Sequence, residues 1–111
     1  MKKTKTYVFD LDGTLCTLTD GDYSKAKPLQ KRIDFVNSLY DQGATIKIYT
    51  ARGMGRNHDD VEAAWEDFEA VTLNQLVRWK VKFHKLLLGK PSGDIYVDDK
   101  GEQADGFFYD A

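Results

Sequence analysis

The apolar residues of this chain alternate between short runs of strand length and longer stretches with helical spacing. Residues 6–9 are β-branched or aromatic, and so short a run of this kind is typical of a strand. The apolar positions of the next regular stretch recur every three to four residues: Leu29, Ile33, Val36 and Tyr40. Pro28 suits the first turn of a helix and Gly43 suits its C-cap, so the pattern predicts a helix over residues 28–42.

The alternation continues through the middle of the chain. Residues 44–50 are rich in β-branched side chains and alternate in polarity, which predicts a second strand with one less apolar face. Residues 51–57 contain two glycines and predict a flexible loop. Helical spacing then returns at Val61, Ala64, Trp65 and Phe68. Residues 72–75 have the form of a capping box, which predicts that a separate helix begins there.

Three further segments complete the pattern. Residues 83–88 and 95–97 have the composition of strands, and residues 107–109 form either a short last strand or a tail packed on the sheet. The order of elements is therefore roughly βαβααββ. Strands that alternate with helices imply an α/β fold with a mostly parallel sheet and right-handed crossovers.

Length, charge and cysteine content narrow the class of protein. A chain of 111 residues fits one domain over residues 1–111. The net charge is −2, and no basic stripe extends beyond Lys2, Lys3 and Lys5, which argues against nucleic acid as an obligatory partner. No segment has the length and apolarity of a membrane span, and none reads as a secretory leader. The single cysteine, Cys16, allows no internal disulfide and favours a cytoplasmic location.

Polar residues of a coherent kind follow the ends of the predicted strands. They are Asp10 and Asp12, then Thr50, then Lys90, then Asp98 and Asp99. The carboxyl ends of parallel strands meet at one edge of a sheet, so we expect these side chains to converge there. Asp and Gly after a strand are also ordinary turn residues, and each member of the set taken alone has a structural explanation. Only the ordered set indicates chemistry.

That chemistry is metal-assisted phosphoryl transfer. Asp10 and one of Asp98 and Asp99 would supply hard oxygen ligands suited to Mg²⁺, which needs only a few protein oxygens. Thr50 can donate a hydrogen bond to a phosphoryl oxygen. Lys90 can place a positive charge where several acids and a phosphate would otherwise repel one another.

The first two acids divide the catalytic work between them. Asp10 ends the strand and is the better placed nucleophile for an aspartyl-phosphate intermediate. Asp12 is then the general acid/base. Gly13 lets the backbone turn closely past the phosphate. Cys16 is a competing nucleophile, but no histidine lies near it in sequence.

At these residues the chain closely resembles the haloacid dehalogenase superfamily of phosphohydrolases, whose first motif matches Asp10–Thr14. The resemblance implies a three-layer Rossmann-like fold with Asp10 as nucleophile and Asp12 as acid/base. The phosphate binders that it implies are Thr50, Ala51 and Lys90. The Mg²⁺ ligands that it implies are Asp10, the backbone carbonyl of Asp12, and Asp98 or Asp99.

A narrower resemblance concerns three short segments, residues 49–52, 89–91 and 96–100. They look like small bacterial and phage members of the superfamily associated with capsule or surface-polysaccharide biosynthesis. This resemblance suggests that the substrate is a sugar phosphate or a related phosphorylated metabolite.

The spacing leaves no room for the cap domain that many members of this superfamily carry. The gap between Thr14 and Pro28 is short, and predicted helices and a strand already fill residues 51–89. We therefore expect a capless, open site, or one that a neighbouring subunit of a homo-oligomer covers. Substrate contacts could come from a loop near the site through Arg52, Arg56 and His58, which could equally be solvated loop charges.

Two other classes of function compete with a phosphatase. A receiver-like phosphoacceptor domain also combines acids, Thr and Lys on a parallel sheet, but here an acid pair follows Lys90 and Thr50 stands where a lone Asp would be expected. A sugar-phosphate or metal-binding protein without catalysis would not require both Asp10 and Asp12. Among enzymes, a polynucleotide or protein phosphatase is the alternative to a sugar phosphatase.

Overall fold

A computed structural model describes residues 5–90 and 103–109. The predicted strand at 95–97 lies outside these ranges, and so do Asp98 and Asp99. Within the described ranges, no helix is long and apolar enough to cross a membrane.

A parallel sheet of three strands, flanked by helices, forms the described part of the molecule. The strands are β1 (Thr6–Asp10), β2 (Thr45–Thr50) and β3 (Lys85–Leu88), and the helices are α1 (Gln30–Asp41), α2 (Val61–Arg78) and the short α3 (Ala104–Phe107). Both neighbouring pairs in the order β1-β2-β3 are parallel. The predicted Rossmann-like α/β fold is therefore confirmed, and the described residues contain no cap domain.

The hydrophobic core lies against one face of the sheet. Phe9, Ile48 and Leu86 are register partners across the three strands, and all are buried. They belong to the same core as Ile33 of α1 and Leu76 of α2. Burying each such side chain contributes about 1.5–3 kcal/mol relative to leaving it exposed, so this face holds the helices on the sheet.

The opposite face of the sheet is more polar. Val8, Lys47 and Lys85 are register partners there, and both Val8 and Lys85 are exposed. Along β2, buried and half-buried residues alternate strictly. The prediction that this strand has one less apolar face is thus confirmed.

Helix α1 begins two residues later than predicted. Its first residue is Gln30 rather than Pro28, because Pro28 instead forms an isolated antiparallel bridge with Cys16. The helix ends at Asp41, one residue before the predicted end. Gly43 follows it with a φ of +97°, the left-handed conformation that glycine adopts without strain.

The prediction of a separate helix at residues 72–75 is wrong. Helix α2 runs unbroken from Val61 to Arg78, and its N-cap is Asp60, whose side chain accepts a hydrogen bond from the backbone N–H of Ala63 at 3.2 Å. Thr72 and Gln75 are buried inside the helix, and their side chains accept hydrogen bonds from an arginine of a distant loop. A tertiary contact thus uses the polar groups that the capping box would have used.

Strand β3 is shorter than the predicted 83–88. The side chain of His84 takes the place of a backbone acceptor just before the strand begins. The backbone N–H of His84 donates to the carbonyl of Ile46 at 2.8 Å. In return, the N–H of Ile46 donates to Nδ1 of the His84 ring at 3.0 Å. The regular strand therefore starts only at Lys85.

Residues 107–109 do not form a strand: Phe107 ends α3, Phe108 is buried, and Tyr109 is exposed. The rings of Phe107 and Phe108 lie 5.6 and 5.9 Å from the ring of Phe9, and that of Phe107 lies 5.8 Å from Phe35 of α1. This aromatic cluster anchors α3 against the sheet and α1, in the edge-to-face and stacked geometries that such rings favour.

Candidate active site

A tight turn after β1 presents the first two acids. The N–H of Leu15 donates to the carbonyl of Leu11 at 2.9 Å, and the N–H of Gly13 donates to that of Cys16 at 2.8 Å. Gly13 has a φ of +83°, and a Cβ there would lie 3.3 Å from a methyl group of Leu18. Because Leu11 and Leu15 are both fully buried, the turn is fixed to the core from both ends.

Asp10 is paired with Lys90 at the carboxyl edge of the sheet. Their side chains approach to 3.4 Å between Nζ and Oδ1, with 21% of the lysine and 38% of the aspartate side chain exposed. The backbone N–H of Lys90 donates to the carbonyl of Thr50 at 3.2 Å, which fixes the lysine beside the end of β2. Burial raises the pKa of Asp10, and the positive charge of Lys90 partly opposes that effect.

Asp12 has a different set of partners. Nε of Arg52 donates to both of its carboxylate oxygens, at 3.2 and 3.0 Å, and Nη2 donates to Oδ1 at 3.0 Å. The Thr50 hydroxyl and the Cys16 thiol make longer contacts with the same carboxylate, each of 3.5 Å. The two acids are therefore close in sequence but are held by different cations.

Thr50 is buried at the end of β2, with its hydroxyl 3.5 Å from the Asp12 carboxylate. Its hydroxyl oxygen accepts a hydrogen bond from the backbone N–H of Arg52 at 3.1 Å. The residue between them, Ala51, lies on the wall of a cavity that also borders Asp10, Asp12 and Lys90. The sequence-predicted set at the ends of β1, β2 and β3 is thus brought together.

This cavity has a volume of about 510 Å³ and opens at the carboxyl edge of the sheet. Its lining includes Asp10, Asp12, Arg52 and Lys90, together with Leu18, Asp20 and Tyr23 of the loop after β1. Such a volume is in the range of small-molecule sites. A second cavity of about 420 Å³ shares Asp20, Tyr23 and Arg56 with it.

Cys16 is fully buried beside Asp12. Burial is the main reason that the pKa of its thiol rises to about 12, and the neighbouring carboxylate adds to the effect. A thiol that stays protonated at neutral pH is a poor nucleophile, so the structure argues against the competing thiol mechanism.

The three candidate substrate contacts have different environments. The side chain of Arg52 is fully buried, so the alternative that it is a solvated loop charge is wrong. Arg56 is exposed, lies on the wall of both cavities and stacks over the ring of Phe68 at 5.1 Å. His58 is exposed and borders neither cavity.

Sequence reasoning missed the network around Arg52. Its Nη1 donates to Thr72 at 3.1 Å and to Gln75 at 2.6 Å, and its guanidinium lies 4.8 Å from the ring centre of Tyr23. The loop approaches α2 closely because Gly53, with a φ of +79°, has no Cβ to meet Phe68. The available signal was the pair of polar residues three apart on the otherwise apolar face of α2.

The donor set suits Mg²⁺ as far as the described residues reach. The carboxylate of Asp10 and the backbone carbonyl of Asp12 are hard oxygen donors, and Mg²⁺ is usually held by one or two carboxylates with water and substrate phosphate. Within residues 5–90 and 103–109, no group of three His, Cys, Asp or Glu side chains could hold a metal ion. The remaining predicted ligand, Asp98 or Asp99, lies outside those ranges.

One solved structure is similar to this chain over most of its length. It is the crystal structure of an MCSG target from Vibrio cholerae, with a TM-score of 0.86 and 27% sequence identity. The match covers 94% of this chain and 87% of that one, and it supports the α/β fold. No protein-family model and no curated protein matches the chain.

Proposed function

We propose that this protein is a Mg²⁺-dependent phosphomonoester hydrolase of the haloacid dehalogenase type, acting through an aspartyl-phosphate at Asp10. The observation that carries the proposal is the pairing of Asp10 with Lys90 at 3.4 Å on the wall of the cavity, with Thr50 and Asp12 beside them. A nucleophilic carboxylate next to a cation is what a phosphoryl group requires, because its own negative charge would otherwise repel the attacking oxygen.

The reaction has two displacement steps. In the first, a carboxylate oxygen of Asp10 attacks phosphorus, the bond to the alcohol oxygen breaks, and Asp12, which enters this step protonated, gives that oxygen its proton. In the second, water attacks the aspartyl-phosphate, Asp12 takes the proton of the water, and inorganic phosphate leaves. Lys90 and the Thr50 hydroxyl hold the phosphoryl oxygens through both steps.

The metal would supply positive charge in this proposal. Mg²⁺ held by Asp10, the Asp12 carbonyl and Asp98 or Asp99 would supply positive charge that offsets the phosphoryl oxygens. Of these proposed ligands, Asp10 and Asp12 lie within the residues that the structure describes, and Asp98 and Asp99 lie outside them.

A sugar phosphate, or a related metabolite of surface-polysaccharide biosynthesis, is the proposed substrate class. The volume of the cavity favours a small-molecule substrate, and no cap restricts access to it within the described residues. A cytoplasmic location is part of the same proposal. The single cysteine, which is buried and free, is compatible with a reducing compartment.

Hydrolysis by the purified protein tests the proposal. We expect it to release phosphate from p-nitrophenyl phosphate and from a panel of hexose and pentose phosphates, to stop in EDTA and to recover with added Mg²⁺. Asp10→Asn should lose roughly 8 kcal/mol or more of transition-state stabilisation, about 10⁶-fold or more in rate. Asp34→Asn, on the exposed side of α1, is the matched control and should keep full turnover.

Two results would overturn the proposal. Full turnover by Asp10→Asn would remove the nucleophile, and full turnover in EDTA would remove the metal. If the protein instead took up a stable phosphoryl group from acetyl phosphate and hydrolysed no monoester, the receiver-like alternative would replace it.

A further inference from the structure

The guanidinium of Arg52 is fully buried, and every part of it has a partner. Its side chain is 0% exposed, whereas that of Asp12 is 19% exposed. A buried cation is costly unless an anion and hydrogen-bond acceptors surround it. In its ionised form Asp12 supplies the anion, Thr72 and Gln75 supply the acceptors, and the Tyr23 ring covers one face at 4.8 Å.

Different nitrogen atoms of this guanidinium contact Asp12 and helix α2. Nε and Nη2 form a fork on the Asp12 carboxylate at 3.0–3.2 Å, the bidentate geometry in which both planes are fixed. Nη1 points the other way and donates to Thr72 and Gln75 of α2 at 3.1 and 2.6 Å. Helix α2 therefore fixes the guanidinium, and the guanidinium fixes the carboxylate.

We infer that Arg52 is a positioning residue that holds the Asp12 carboxylate in place for proton transfer to the leaving oxygen. The inference rests on the proposed function. Proton transfer requires the donor to lie within hydrogen-bond reach of the leaving oxygen, and a carboxylate displaced by even about 1 Å loses much of its effect. Arg52 borders the cavity, but its side chain is 0% exposed and its N–H groups already donate to Asp12, Thr72 and Gln75. It therefore acts through Asp12 rather than on the substrate.

Lysine cannot replace arginine in this role. An ammonium group is a compact point charge and cannot make a planar fork on a carboxylate while also reaching two acceptors on a helix. Arg52→Lys therefore keeps the positive charge but removes the orientation of Asp12. The Arg52→Lys variant therefore distinguishes a role in positioning Asp12 from a role that needs only a positive charge.

The test compares two substrates of the same shape, p-nitrophenyl phosphate and phenyl phosphate. Phenolate is the poorer leaving group, so phenyl phosphate depends more on a proton from Asp12. A well-positioned general acid contributes about 10²- to 10⁴-fold. For Arg52→Lys we expect kcat to fall about 100-fold on phenyl phosphate and less than 10-fold on p-nitrophenyl phosphate, with little change in KM.

Three further variants complete the design. Asp12→Asn should give the same imbalance between the two substrates, and adding Arg52→Lys to it should cause little further loss, because the residues act as one unit. Thr72→Val removes only one anchor of Arg52 and should show a smaller loss, again larger on phenyl phosphate. Arg78→Lys, at the exposed end of α2, is the matched control and should leave both rates unchanged.

Each outcome decides a separate question. Equal losses on both substrates in the Arg52 and Thr72 variants, or fully additive losses in the double variant, would reduce Arg52 to a structural residue and overturn the inference. If Arg52→Lys does not fold, as judged by circular dichroism, Thr72→Val alone decides by the same imbalance. Loss of the proposed function has its own signature, which is a wild-type protein inactive with Mg²⁺ or an Asp10→Asn variant that keeps its activity.

Discussion

Asp10 and Asp12 carry the same side chain two positions apart, yet their surroundings give them different chemistry. Asp10 is more exposed, borders the cavity and pairs with the single ammonium group of Lys90. Asp12 is held by the fork of a buried guanidinium. A nucleophile must reach the phosphorus, whereas a proton carrier must be held at a fixed distance from the leaving oxygen. The two environments suit the roles that we propose for Asp10 and Asp12.

The raised pKa of Asp10 predicts that this residue costs the fold stability. Because its pKa in the folded protein lies above 3.8, the folded state binds this proton more tightly than the unfolded chain. The cost is therefore present above the folded pKa and disappears as the pH falls through it. Asp10→Asn should raise the urea midpoint at pH 7 in metal-free buffer and flatten the pH dependence of stability below that pH. A lower midpoint at pH 7 would contradict the sign of this effect.

Cys16 should be inert in the native protein. With its thiol pKa at about 12 and no exposed surface, we expect iodoacetamide to label it far more slowly in the native protein than in urea, as followed by mass spectrometry. Cys16→Ser should change turnover little, because a hydroxyl can replace the 3.5 Å contact of the thiol with Asp12. Rapid native labelling that abolished turnover would restore the thiol mechanism.

At the scale of elements, the spacing of apolar residues predicts a helix or strand correctly where the same residues are the ones that become buried. β1, β2 and the apolar face of α1 could be predicted because their buried residues repeat with the period of the element itself. The prediction failed at Thr72 and at His84, where polar side chains bind groups distant in sequence. No window of neighbouring residues contains that information.

The ring of His84 should contribute measurably to the start of β3. His84→Leu would leave the N–H of Ile46 without its acceptor in a partly buried place, at a cost of about 1–3 kcal/mol in the free energy of unfolding. His58, the other histidine of the chain, is exposed and has a φ of +53°. Asparagine tolerates that conformation, so His58→Asn serves as the control and should change stability little. Equal urea midpoints for the two variants would show that the ring contact is dispensable.

At the scale of the whole molecule, the sequence predicts which residues meet at the site but not which residues hold them in place. Parallel strands bring their carboxyl ends together, so Asp10, Thr50 and Lys90 could be placed at one edge from the order of the elements alone. The role of Arg52 could not. Its burial depends on α2 crossing close to the loop, which in turn depends on Gly53.

The absence of a cap from the described residues predicts a link between assembly and turnover. A cavity open at the sheet edge encloses a small sugar phosphate poorly unless a second subunit covers it, and closed homo-oligomers are common. We expect kcat/KM on such a substrate to fall on dilution, in step with dissociation measured by light scattering. A monomer that works equally well at every concentration would exclude a neighbouring subunit as the lid, while leaving the chemistry of Asp10 untouched.

In the proposed mechanism, the anchoring of Arg52 on α2 makes one helix responsible both for packing and for the position of Asp12, the proposed general acid. A helix can loosen locally, with a smaller free energy than global unfolding requires. On warming, an early loosening of α2 around Thr72 and Gln75 would release the guanidinium while the sheet stays intact. The temperature at which the rate is greatest would then lie below the temperature at which the protein melts. The difference between these two temperatures would show how far the unfolding of α2 is coupled to that of the sheet.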